Sequence, residues 1–131
     1  MSVSCYVLDC EAVSRAARGE EQMAARLKFA HGRGIRVVTS SMTLIEAHHA
    51  RIRRAAWQWT LSRITVEPVT EEVADAAIKL LADAGLHGHK YAIDAALAVI
   101  AAHQAGNTVV FTSDEDDLKK LCGARILVRR L

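Results

Sequence analysis

No apolar run in this sequence is long enough to cross a bilayer: the longest lies around Ala95 to Ala102, against the roughly 20 residues that a spanning helix needs. Met1 is followed almost at once by a strand-like segment, which predicts no signal peptide. Cysteine is scarce, and Cys5, Cys10 and Cys122 form neither a C-x-x-C motif nor a paired framework, so they read as reduced thiols of a cytoplasmic protein. No Pro-, Gly- or Ser-rich linker, internal repeat or low-complexity segment divides the chain. Residues 1–131 are expected to fold as a single domain. Also missing are a G-x-x-x-x-G-K-[ST] loop and a G-x-G-x-x-G after a strand, which sets aside nucleotide hydrolysis and dinucleotide chemistry.

What remains is 131 residues, 51% hydrophobic and 24% charged, with a formal net charge of +2. That length suffices to bury a core, and the mild basic excess permits an anionic polymer as partner without requiring one. Cys5-Tyr6-Val7-Leu8, Ile35 to Thr39 and Thr108-Val109-Val110-Phe111 read as strands buried on both faces, because they are short, apolar and rich in β-branched side chains. Further strands are expected over 64–67 and 125–128, the first closed by Pro68. Helical composition fills the intervals 20–30, 43–62, 70–84 and 91–105, the second being one helix or two. Parallel neighbours need crossover connections, so this alternation predicts an α/β/α sandwich around a central parallel sheet.

In such sheets functional groups gather beyond the carboxyl ends of the strands. Asp9 follows the first strand directly, where it could also cap the next helix. Glu46 follows the second strand, and Thr43-x-x-Glu46 has the spacing of a capping box, an ordinary structural use. Asp94 interrupts Tyr91-Ala92-Ile93-Asp94-Ala95-Ala96-Leu97-Ala98-Val99-Ile100, a helix apolar nearly all round. A lone charge there needs a metal or a partner, and Lys90 stands four residues earlier. Asp114 follows the strand ending at Phe111, with Ser113 as a candidate cap and Glu115 and Asp116 suited to the helix dipole. Asp117, three residues on, is an auxiliary ligand or orienter. Four acids brought to one sheet edge repel unless a cation neutralises them. Hard oxygen ligands favour Mg²⁺ or Mn²⁺ over zinc, and an incomplete carboxylate cage suits phosphodiester hydrolysis.

Taken together, Val7-Leu8-Asp9, Thr43-Leu44-Ile45-Glu46, Tyr91 to Ala98 and Val110-Phe111-Thr112-Ser113-Asp114 resemble the PIN-domain family over nearly the whole chain. They look most like its bacterial toxin branch, the VapC-type ribonucleases of toxin–antitoxin pairs. The resemblance implies that Asp9, Glu46, Asp94 and Asp114 form the acidic quartet, with Asp117 matching an additional acid. It also implies endoribonuclease activity dependent on Mg²⁺ or Mn²⁺, a cognate antitoxin and a homodimer.

Two features lie outside that pattern. Arg51, Arg53 and Arg54 precede Trp57 and Trp59, a grouping that suits RNA contact. Residues two apart on a helix point in different directions, so one indole is expected in a partner interface rather than in the core. His48, His49, His87 and His89 do not complete a zinc site, and His31 and His103 add nothing further. A PIN-like RNA- or protein-binding module without activity is the competing reading. A phosphorylated signalling domain lacks the paired acids after the first strand.

Overall fold

The computed structural model describes residues 2–131. Five strands, β1 (Val3–Leu8), β2 (Arg36–Ser40), β3 (Thr65–Glu67), β4 (Asn107–Thr112) and β5 (Leu127–Arg130), alternate with seven helices. The helices are α1 (Cys10–Ala17), α2 (Glu21–Arg33), α3 (Ser41–Ala47), α4 (Arg54–Ser62), α5 (Glu71–Ala84), α6 (Gly88–Ala102) and α7 (Glu115–Cys122). All strand pairs are parallel, in the order β3-β2-β1-β4-β5. The chain therefore winds outward in both directions from β1, and the order reverses between β1 and β4. In a parallel sheet such a reversal leaves a crevice beyond the strand carboxyl ends.

Alternation along each strand divides the core into two layers. Cys5 and Val7 of β1 and Val110 of β4 pack with Leu97 of α6 and Leu118 of α7, while α5 adds Val73, Ala77 and Leu81. Leu8, Val109 and Phe111 point the other way, onto Ala12 and Val13 of α1 and Met23 and Leu27 of α2. Leu8, Met23, Leu27 and Leu97 are fully buried, each contributing about 1.5–3 kcal/mol of apolar transfer. The expected α/β/α sandwich is thus observed.

Several local expectations shift. The interval 43–62 is two helices, because α3 ends where His48 turns extended and α4 starts only at Arg54. The capping reading of Asp9 required a helix after it, and α1 is that helix. Its apolar face is made of small residues, Ala12, Ala16 and Ala17 with Val13, and Glu11 bridges Arg15 at 3.1 Å and Arg18 at 3.0 Å on the outer side. Helix α6 starts at Gly88 and ends at Ala102, and β5 starts two residues later than expected, at Leu127.

The two tryptophans of α4 overturn an expectation. Both Trp57 and Trp59 are half-buried and pack against the same core layer. The inner line of α4 is built from small residues, Ala56 and the fully buried Thr60, whose Oγ1 donates to the Ala56 carbonyl at 2.9 Å. Small residues along that line let an indole reach inward from either side. The His48 ring meets Trp57 edge-on, with centroids 4.7 Å apart.

Candidate functional site

Asp9 sits at the crevice floor. The Asp9 N–H donates to the Phe111 carbonyl across the β1–β4 switch at 3.1 Å, and the residue is only 4% exposed. Both carboxylate oxygens accept hydrogen bonds. Oδ1 takes the Ala12 N–H at 2.8 Å, which makes Asp9 the N-cap of α1. Oδ2 takes the Thr112 hydroxyl at 2.7 Å and the Ser113 N–H at 3.0 Å. Burial raises its pKa, while these three donors pull it back towards the charged form. Capping and site membership are therefore both true of Asp9. An amide in its place turns an NH₂ towards one of these donors, so Asp9→Asn is expected to cost about 1–3 kcal/mol of stability. Urea unfolding checks this; an unchanged midpoint would contradict the bonding described.

Glu46 lies in the last turn of α3, not the first. The cap of that helix is Ser40, whose Oγ accepts the Thr43 N–H at 2.9 Å, and Thr43 Oγ1 bonds Ser40 Oγ at 2.7 Å. The Thr43–Glu46 capping box is accordingly absent. Its loss removes the ordinary explanation for Glu46, which is exposed.

Asp94 is partly buried where α6 enters the core, and Ala95 to Ala101 behind it are all buried. Burial first, and then the negative charges of Asp114, Asp9, Glu46 and Asp117, push its carboxyl up to about 6. The charges of all the acids named from sequence thus act on Asp94. The Lys90–Asp94 ion pair is not among those formed by the described residues. Lys90 instead lies with its ammonium 5.2 Å from the Tyr91 ring centroid, and its charge acts on Asp117 and Asp114.

Asp114 occupies the N-cap position of α7, yet its side chain makes no capping bond. Ser113, the expected cap, spends its N–H on Asp9, and the Asp114 N–H donates to Thr112 Oγ1 at 2.8 Å. Thr112 thus links the Asp9 carboxylate to the Asp114 backbone. Its place at the end of β4 fixes both of them, a role that sequence reading missed because nothing distinguishes a Thr at a strand end. Burial and the adjacent Asp117 raise the Asp114 pKa, with Lys90 opposing. Glu115 and Asp116 lie in the first turn of α7 as expected, and Glu115 meets Lys119 at 3.4 Å.

Two thiols border the acids. Burial and the Glu46, Asp9 and Asp94 carboxylates keep Cys10 protonated, and burial with Asp94 pushes Cys122 up to about 11. Position 10, directly after Asp9, was the only sequence signal for either.

Among the described residues none of the five acids is in an ion pair, and only the more distant Lys90 offsets part of their mutual repulsion, at Asp114 and Asp117. Neither do any three His, Cys, Asp or Glu side chains stand close enough to enclose a metal ion. The donor set is all carboxylate oxygen at the crevice, with an excess of negative charge, which fits a hard divalent cation. Side chains held apart by like charge would have to draw together around it.

Fold and site together define a parallel α/β domain with an acid cluster at its switch point. The PIN domain family model matches residues 6–124, and the chain belongs to that family. Solved structures share the fold. VapBC2 from Rickettsia felis, bound to a DNA fragment from their promoter, superposes with a TM-score of 0.69 at 14% identity, covering 97% of this chain and 98% of that one. DNA-bound VapBC from Salmonella typhimurium gives 0.61 at 17% identity, with 98% of each chain covered. PAE2754 from Pyrobaculum aerophilum gives 0.62 at 19% identity, covering 98% and 90%. No curated protein matches the sequence.

Proposed function

We propose that this PIN domain is a metal-dependent endoribonuclease, the toxin of a type II toxin–antitoxin pair. The observation that carries the reading is that five acids without an ion-pair partner act on Asp94 and on one another beside the β1–β4 switch. Asp9, Glu46, Asp94 and Asp114 would hold Mg²⁺ or Mn²⁺. When bound, such an ion supplies Lewis-acid charge at the phosphodiester and acidifies water for attack.

The chain's own residues do the positioning. Thr112 and Ser113 lock Asp9, so one donor is preorganised before any cation arrives. Asp94, with its raised proton affinity, or Asp117 beside Asp114 would orient the attacking water. Lys90, at the rim, offers a positive charge to substrate phosphate.

The VapBC likenesses support a cognate antitoxin as partner. A homodimer is part of the same reading, as is a cytoplasmic location; no described helix is long and apolar enough to cross a membrane. Met42 and Ile78 are exposed at an apolar cleft of about 300 Å³ between α3, α5 and α6, which gives such partners a surface.

One observation favours a second reading, an inactive RNA- or protein-binding module: the acids do not form a closed cage. Incubating antitoxin-free protein with structured and unstructured RNAs, in Mg²⁺, Mn²⁺ or chelator, separates the two. Cleavage that needs the metal supports the nuclease. RNA bound but never cut, under every condition, would transfer the case to the binding module.

A further inference from the structure

A cavity of about 670 Å³ opens between the C-terminal end of α1 and the loop 48–53 that joins α3 to α4. Arg18, His49, Arg51 and Arg53 line it, and no acid does. Arg18 is held by Glu11 at 3.0 Å. Arg51 and Arg53 are exposed and, among the described residues, meet no carboxylate. His49 Nδ1 accepts the Arg51 N–H at 3.3 Å, so its neutral ring carries the proton on Nε2 as a further donor. Concave and donor-rich, with Arg51 and Arg53 unmatched by any carboxylate among the described residues, the cavity suits an anion with several oxygens.

Its position narrows the choice. Two connections tie it to the acid cluster: His49 follows Glu46 by three residues, and α1 runs from its cap Asp9 to Arg18. Eight helical residues span roughly 12 Å, a distance covered by about three to four stacked nucleotides. A free phosphate at either place could not reach the other. A polymer with a charge on every residue reaches both. Trp57 and Trp59 are occupied in core packing, which leaves charge rather than base stacking as the means of recognition.

We propose that this cavity is a subsite for the phosphodiester backbone of the RNA substrate, a few nucleotides from the bond that is cut, with Arg51 and Arg53 as its principal contacts. The inference rests on the nuclease reading and gives it a direction: the strand leaves the acid cluster along α1.

The test measures binding of labelled single-stranded RNAs of increasing length to the full chain, over a series of salt concentrations. Asp94→Asn serves as the parent, so that bound RNA stays intact, and Arg51→Ala/Arg53→Ala is added to it. Long RNA should then bind about tenfold more weakly at low salt, and the slope of log K against log salt should become shallower by about 1.4, or roughly 0.7 for each phosphate that an arginine no longer neutralises. An RNA too short to leave the acid cluster should bind both proteins equally. Arg51→Lys/Arg53→Lys should keep the slope, a result that a merely structural role for the arginines does not produce. Unchanged affinity and slope in a protein whose wild type cleaves RNA overturn the subsite alone. If the wild type neither binds nor cleaves RNA, the nuclease reading falls and the subsite with it. If removing the arginines weakens only polyglutamate binding, the cavity serves an acidic protein segment and the proposal is wrong.

Discussion

Asp94→Asn is expected to abolish cleavage and, at neutral pH, to make the protein more stable. The two effects come from one cause. Asp94 makes no hydrogen bond among those of the described residues, and its surroundings, burial and four acids, oppose its charge and push the carboxyl up to about 6. The folded state therefore holds a proton that the unfolded chain releases at lower pH. Stability from this group is present below the ordinary carboxylate range and is lost as pH rises through about 6. Above that, the charged side chain is a net cost of about 1–2 kcal/mol, after discounting for its open side. Asparagine removes the charge at nearly constant shape. The melting temperature should rise by roughly 3–8 °C at pH 7.5 and hardly change near pH 4. Activity should fall by more than the roughly 10–100-fold that removing an outer-shell partner of a metal ligand costs. A variant that keeps full activity, or that melts lower at pH 7.5, would sink the assignment of Asp94 to the site.

Divalent metal should reverse the same penalty in the wild type. Mg²⁺ or Mn²⁺ at about a hundredfold excess over its Kd stabilises the folded state by about 2.7 kcal/mol, roughly 8–10 °C in melting temperature for a chain of this size. Ligands must be deprotonated to bind, so the gain should shrink as pH falls through about 6, where Asp94 takes up its proton. Chelator should abolish it, and Asp94→Asn should show little of it. Equal melting curves with and without either ion, at pH 7.5, would remove the metal from the mechanism. Asp9→Asn is the poorer probe for this purpose, because it sets an NH₂ against part of a three-bond hydrogen-bonding set as well as removing a charge.

The site was unevenly legible in the sequence. Asp9 and Asp114 could be placed from local pattern, because each closely follows a strand that is unmistakable in sequence. Asp94 stood out as a charge in an apolar helix. Glu46 had its place after the second strand and the company of the other acids in its favour, but Thr43-x-x-Glu46 reads equally well as a cap; the structure frees it by giving the cap to Ser40. The Lys90–Asp94 spacing was correct for an ion pair that the structure does not make, because the lysine turns to Tyr91 instead. Thr112 and Cys10 are ordinary residues whose importance lies in what they touch.

Strand runs, helix composition and crossover connections are properties of short segments, so the parallel α/β/α architecture and the acids beside the strand ends are legible in the sequence. Three-dimensional packing was needed to establish that the strands lie in the order β3-β2-β1-β4-β5, that acids from three other segments bring their charge to bear on Asp94, and that Trp57 and Trp59 share one core. It also brought Arg18 to a cavity with Arg51 and Arg53, more than thirty residues away in the chain. Which strands become neighbours, and which partner a side chain accepts, depend on how distant segments meet. No local pattern encodes that.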